Sequence, residues 1–153
     1  MIRSVNAAWW VQRWSELNPQ KTAILFEDES ISYQDLHRRA NRTSCWLQSL
    51  GIEKGDRVAV MLANCPDFIE LYLACARLGA IFVPLNPRVT ALELDYFLKN
   101  SRPRLFAFGS ETASKVEALH LTQNRAPILL VSVGPHTDEL GSIDYRSETK
   151  VFN

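Results

Sequence analysis

His37, His120 and His136 are the side chains that could carry a proton near neutral pH, and no two of them are near each other in the sequence. None stands beside a cysteine or an aspartate in a catalytic spacing, so each is read as a surface residue. Cys45, Cys65 and Cys75 are separated by twenty and ten residues. Without a Cys-x-x-Cys pair they support neither a zinc knuckle nor a redox dithiol, and Cys75, inside an apolar stretch, reads as a small core residue. Glu27-Asp28-Glu29 could suggest a cation. Consecutive side chains point in different directions, however, and a solvated turn is the better reading. His37, Arg38, Arg39 and Arg42 could meet a phosphate, but their spacing is that of a charged outer helix face. The chain has no Gly-x-x-x-x-Gly-Lys-Ser/Thr loop, no Gly-x-Gly-x-x-Gly and no Gly-x-Ser-x-Gly. Taken alone, these residues define no active site.

The elements that would position a site are clearer. Seventeen basic and seventeen acidic residues cancel, which gives no reason to expect nucleic acid or an anionic membrane as a partner. The Trp-rich start (Trp9, Trp10, Trp14) is interrupted by Gln12, Arg13 and Glu16, unlike a signal peptide. No run approaches the ~20 apolar residues of a membrane span. With no disulfide pattern, a cytoplasmic chain is expected.

The organising stretch runs from Asp67 to Pro87. Phe68 to Leu78 reads as a helix apolar on nearly every side, with Glu70 and Arg77 its only charges. Gly79 stops it. Ala80 to Val83 reads as a strand covered on both faces, and Pro84 and Pro87 bracket a turn. Before it, Asn6 caps a helix over residues 7 to 17, with Trp10 and Trp14 expected to pack it onto the body. A hairpin follows from Thr22 to Ile31. Ser32 and Asp35 have the spacing of a capping box, ahead of an apolar stripe of Leu36, Ala40, Thr43, Leu47 and Leu50. Arg57 to Leu62 is a strand. After Pro87, Thr90 and Glu93 form a second box, opening a helix with Leu94, Phe97 and Leu98 as its apolar face. Leu105 to Phe108 is a strand, Ser110 to Thr122 a weaker helix and Pro127 to Val133 a last buried strand.

Strands alternating with helices argue an α/β fold. The expectation is a three-layer, doubly wound, mostly parallel sheet with helices on both faces, preceded by a helix and a β-hairpin. Residues 1–133 form this unit, and 134–153, which lack periodicity, are expected as loop or disordered tail.

Three stretches resemble the N-terminal part of the adenylate-forming (AMP-binding) ligases, the acyl-CoA synthetases in particular. Ile31-Ser32-Tyr33-Gln34-Asp35-Leu36 is similar to the first core motif, and Gly51-Ile52-Glu53-Lys54-Gly55-Asp56-Arg57-Val58-Ala59-Val60 to the turn and strand after it. Leu73 to Pro87 is similar to the second core motif. The resemblance extends from residue 9 to about 133, and the order and spacing of the motifs carry it.

The resemblance implies the N-terminal subdomain of an acyl-CoA synthetase-like fold and a two-step reaction. A carboxylate, most in keeping with a fatty acid, attacks the ATP α-phosphate with Mg²⁺ present, and the CoA thiol then displaces AMP. The family's Ser/Thr/Gly-rich phosphate loop, its ribose-binding Asp and its C-terminal Lys are not in this sequence, so no catalytic residue carries over. The resemblance does place Leu85, Asn86 and Arg88, after the second core motif, near the CoA channel of a full enzyme. ATP, Mg²⁺ and CoA are thus implied for the full-length family, with none expected to bind tightly to this chain alone. The chain is expected to be an inactive portion of an acid–CoA ligase whose partner is the remainder of the ligase, in cis or in trans. The alternative is a non-catalytic truncated domain, acting as a binding module or as half of a split enzyme. An open sheet edge would allow self-association.

Overall fold

Backbone groups left unpaired at helix ends decide most of the element boundaries. In the computed structural model, which describes residues 6–119, 128–134 and 143–151, helix α1 (Ala7–Leu17) begins where the Asn6 side chain accepts the Trp9 N–H at 3.1 Å. Helix α2 (Tyr33–Ser49) begins on Ser32, whose Oγ accepts the Asp35 N–H at 3.1 Å. The Asp35 side chain is one methylene shorter than that of a glutamate. It reaches the Ser32 hydroxyl, at 2.8 Å, where a full capping box would reach the backbone. Helix α4 (Ala91–Ser101) has the full box: Glu93 N–H donates to Thr90 Oγ1 at 3.3 Å and Thr90 N–H to Glu93 Oε2 at 2.7 Å. Helix α3 (Pro66–Leu78) opens on a proline whose missing N–H costs nothing there and closes on Gly79 at φ 73°.

Strands β1 (Thr22–Phe26) and β2 (Glu29–Ser32) form an antiparallel hairpin. Strands β3 (Arg57–Met61), β4 (Ile81–Pro84), β5 (Leu105–Gly109), β6 (Leu129–Val133) and β7 (Ile143–Asp144) form one sheet in the order β4-β3-β5-β6-β7, with every pair parallel. The chain moves outward from β3 to β4, then crosses to β5 on the other side of β3, so the strand order reverses between β3 and β5. A short 3-10 turn (Ser110–Thr112) leads into helix α5 (Ala113–Ala118), and helix α6 (Tyr145–Thr149) follows β7.

Side chains alternate across the pleat, and each face finds its own helices. Val58, Val60, Leu105, Ala107, Val131 and Val133 pack with Trp46 and Leu47 of α2, Leu71, Ala74 and Cys75 of α3, and Tyr145 of α6. Ala59, Met61, Phe106, Phe108 and Leu130 pack with Leu94 and Leu98 of α4 and with Ala113 and Val116 of α5. A third cluster, Ile31, Leu36, Ala40 and Leu73, seats α1 and the hairpin through Ala7, Val11, Ala23 and Ile24. The expected doubly wound α/β sheet with helices on both faces is the one observed. No helix among the described residues is long and apolar enough to cross a membrane.

The differences are local. Trp10 is 54% exposed, because the small Ala7 and Ala8 and the β-branched Val11 let α1 approach its neighbours closely. Trp14 instead stacks on Tyr33 at 5.6 Å, under the Lys21 ammonium at 5.1 Å. Phe97 is half-buried at best, since Leu94 and Leu98 occupy the inward stripe of α4. β4 is an edge strand rather than a covered one: among the described residues β3 is its sole strand neighbour, and Ile81 is half exposed. α5 is described as far as Ala118, and the expected continuation to Thr122, like Pro127, falls largely outside the described residues. The segment expected as loop holds β7 and α6, where Tyr145 is buried. A two-residue strand and a five-residue helix are too short to show a period, and Tyr145 is held by distant partners.

Candidate functional site

Parallel strands put all their carboxyl ends on one side of a sheet. In open α/β sheets ligands bind outside those ends, where the strand order reverses. Four connections meet there: Leu62–Cys65 after β3, Leu85–Thr90 after β4, the turn from Gly109 after β5, and Gly134 after β6. The reversal between β3 and β5 is bridged by Glu111, whose Oε1 accepts the Ala63 N–H at 3.3 Å. The Glu111 carboxylate folds back over Gly109, where a Cβ would overlap it. The described glycines stand singly at helix and strand ends and in turns, so no glycine-rich phosphate cradle is formed among them. Nor do the described residues hold a group of three or more His, Cys, Asp or Glu able to bind a metal ion.

Leu85, Asn86 and Arg88 lie together in the turn after β4. The Leu85 N–H donates to the Val60 carbonyl at 2.8 Å, extending the ladder one residue past the strand, and its side chain is buried against the α4 face of the sheet. Asn86 Oδ1 accepts the Arg88 N–H at 2.9 Å and its carbonyl accepts the Val89 N–H at 3.2 Å, as an asparagine that makes its own turn does. Lys115 of α5 donates from Nζ to the Pro87 carbonyl at 2.6 Å. Two prolines, a side-chain turn and a lysine thus fix the backbone, while the Asn86 amide and Arg88 guanidinium are exposed.

A second polar assembly lies elsewhere, at the junction of the hairpin, α2, α3 and α6. Tyr145 OH donates to Glu70 Oε2 at 2.9 Å and shares a hydrogen bond with Thr43 Oγ1 at 2.8 Å; all three residues are buried. Arg39 reaches Glu29 at 2.6 Å and Glu70 at 3.6 Å, and Arg146 reaches Asp67 at 2.7 Å. All of these except Thr43 border an open cavity of about 850 Å³. Its acids and arginines neutralise one another, so its evident work is to tie four elements together. Glu70 was visible in the sequence as one of two charges in an apolar helix, a sign that a partner must exist. That partner, Tyr145, is 75 residues away.

Burial lifts the Glu70 carboxyl above the usual range, outweighing the Tyr145 hydrogen bond that lowers it; Asp67 adds to the rise and Arg39 opposes it. The folded state therefore holds the proton more tightly than the unfolded chain does. The stability from this group is complete below the unfolded value of 4.5 and is lost as pH rises through the folded one. Glu70→Gln keeps an acceptor for Tyr145 and cannot ionise. Its stability relative to the wild type should rise as pH goes from about 4 to about 7 in urea titrations; a difference that stays flat with pH would refute the assignment.

Among the described residues, the remaining chemistry-capable side chains serve structure or stand apart. His37 links α2 to α3, with Nε2 3.1 Å from Asn41 Nδ2 and Nδ1 3.4 Å from Arg77 Nη2; burial first and Arg77 second lower its pKa. His120 and His136 lie outside the described residues. Glu29 of the acidic turn is an ion-pair partner for Arg39. Cys45 is exposed, burial raises the pKa of the half-buried Cys65 thiol, and burial pushes Cys75 up to about 12. A disulfide reagent near neutral pH should thus modify Cys45 first and Cys75 only as the chain unfolds. Modification of Cys75 at the rate of Cys45 in the folded chain would contradict its core position.

Comparison with known proteins follows the same outline. Residues 11–150 match the family model described as AMP-binding enzyme. A crotonobetaine/carnitine–CoA ligase of Salmonella arizonae is 43% identical over 102 residues, which cover 61% of this chain and 20% of that protein. The ligase of the same name in Salmonella paratyphi C is 37% identical over 125 residues, covering 76% of this chain and 24% of that protein. The chain thus spans between a fifth and a quarter of the length of these curated relatives. Among solved structures, a fatty acyl CoA synthetase of Mycobacterium tuberculosis superposes with a TM-score of 0.80 at 26% identity, over 95% of this chain and 28% of that one. A benzoate CoA ligase from Burkholderia xenovorans gives 0.85 at 20% identity, over 97% and 29%, a likeness of fold alone.

Proposed function

The chain belongs to the AMP-binding enzyme family, and from that premise we propose that it is the N-terminal portion of an AMP-forming acid–CoA ligase, acting in the cytoplasm and inactive without the remainder of that ligase. The observation that carries the reading is the family match over residues 11–150 on a sheet whose carboxyl-end turns are in place, with no glycine-rich phosphate cradle among the described residues. The full enzyme would join a carboxylate to CoA through an acyl-adenylate, using ATP and Mg²⁺. Nothing among the described residues fits the ATP phosphates or the metal, so neither ATP nor Mg²⁺ is expected to bind tightly to this chain alone.

CoA fits better. Its phosphates suit a guanidinium and its pantetheine amides suit an amide donor, which are the groups that Asn86 and Arg88 expose on a turn held by Lys115. Leu85 supports that turn from the core. These residues would bind and orient CoA; they have no part in moving protons or phosphoryl groups.

For the acid, a fatty acid is the first reading, supported by the motif pattern and by a fatty acyl CoA synthetase among the structural neighbours. The identity of 43% to a crotonobetaine/carnitine–CoA ligase favours a second, a short zwitterionic acid. Two experiments test the proposal. Reading the coding frame past Asn153 should show a Thr/Ser/Gly-rich segment ending in Lys. The purified chain should form no acyl-CoA from ATP, CoA and either acid, whereas the longer protein should; ATP-dependent thioester formation by the chain alone would overturn the claim of inactivity. With the longer protein, faster thioester formation from crotonobetaine than from a fatty acid would replace the first substrate reading by the second.

A further inference from the structure

α6 and β7 are joined to the body at few points. β7 meets β6 at two positions, Val131 against Ile143 and Ser132 against Asp144. α6 adds one buried side chain, Tyr145, and one ion pair, Arg146 to Asp67 at 2.7 Å. A short edge segment held in this way opens at a lower free energy than the central strands do.

The buried side chain of α6 ends on an acid. Tyr145 OH donates to Glu70 Oε2 at 2.9 Å, and Glu70 is 7% exposed. Both residues line the open cavity between the hairpin, α2, α3 and α6. Withdrawing α6 would take Tyr145 away and admit water to the Glu70 carboxyl from that side.

The charges around Glu70 come from four elements. Arg39 of α2 is 3.6 Å away, with Arg38 and Arg42 on the same cavity wall, and Asp67 precedes Glu70 by one turn of α3. Glu29 of the hairpin is paired to Arg39, with Glu27 and Asp28 beside it, and α6 contributes Arg146, paired to Asp67, and Lys150. Arg39 and Asp67 stay in place when α6 leaves, so the main change at Glu70 is its contact with water. Burial is the leading cause that holds its carboxyl above the usual range, ahead of the Tyr145 hydrogen bond that lowers it. An ionised Glu70 thus favours α6 away, and a protonated Glu70 favours it docked.

We propose that α6 is a pH-dependent latch, which closes over Glu70 while the carboxyl holds its proton and loosens, with the sheet still folded, when that proton passes to water. The docked form holds the proton more tightly than the open form. Docking is therefore at full strength below the open form's pKa and is lost as pH rises through the docked form's. Each unit between the two lowers the ratio of docked to open about tenfold.

Hydrogen exchange of the 153-residue chain, read by mass spectrometry and corrected for the intrinsic pH dependence of amide exchange, tests the latch. Protection of residues 143–151 should lie at least about tenfold below that of β3 and β5 and should fall about fivefold or more between pH about 5 and about 8. In Glu70→Gln, which keeps an acceptor for Tyr145 and cannot ionise, it should stay constant over that range. Tyr145→Phe, which leaves Glu70 free to ionise, should lower the protection of 143–151 at every pH and keep its fall; this variant and the wild type decide the matter if Glu70→Gln does not fold. Protection of 143–151 equal to that of β3 and β5 at every pH would mean that α6 opens only with the whole fold, and would overturn the latch. Protection that is flat with pH in the wild type, or that falls as steeply in Glu70→Gln, would overturn it by taking the proton away from Glu70.

Discussion

Tyr145→Ala should lower the stability of the folded chain by about 3–5 kcal/mol, the usual cost of emptying a large aromatic site in a core. Tyr145→Phe should lower it by about 1–3 kcal/mol, the cost of leaving buried polar groups without a partner. The ring stands edge-on to Trp46 at 5.4 Å and is 1% exposed, and the hydroxyl sits between Thr43 and Glu70. The phenylalanine variant keeps the ring contact and strips the hydroxyl from the buried Glu70 carboxylate and Thr43 hydroxyl, so the two substitutions separate packing from hydrogen bonding. Urea unfolding followed by tryptophan fluorescence measures both. A loss below about 0.5 kcal/mol for the alanine variant, the range of ordinary surface substitutions, would show that α6 contributes nothing to the fold.

That result would also mark where sequence reading stops. The alternation of strands and helices was legible because its signals are local. Asn6, Ser32 and Thr90 cap helices within three residues of themselves, Gly79 ends α3 at its own φ, and the stripe of α2 repeats within two turns. α6 was illegible because its reason for folding is not local. Its five residues make fewer than two turns, and its anchor is paid out to Thr43 and Glu70, 102 and 75 residues away. The candidate site divides the same way. The turn holding Leu85, Asn86 and Arg88 could be placed from its two prolines and from resemblance, but not the lysine that holds it, since Lys115 comes 28 residues later on another helix. Strand order is likewise non-local. Ala80 to Val83 is apolar enough for a central strand, and only the pairing with β3 alone reveals it as an edge.

Phe106 and Phe97 show the same limit in a pair of identical residues. Phe106→Ala should cost about 3–5 kcal/mol, and Phe97→Ala less than about 1 kcal/mol. Phe97 was expected on the apolar face of its helix and Phe106 within a strand. Phe106 is on β5, between β3 and β6, fully buried with Leu94 and Leu98 of α4 above it and Phe108 at 5.8 Å. Relaxation cannot close the space left by its ring, because the strands on both sides are held by their own ladders. Phe97 is next to Leu98 in sequence but one helical step, about 100°, round from it, and is 37% exposed. Its truncation in the isolated chain exposes little and opens no cavity. A stable domain has only about 5–15 kcal/mol to lose, so Phe106→Ala should bring the chain close to unfolding at ambient temperature while Phe97→Ala melts like the wild type. Parallel thermal melts of both variants would measure the contrast.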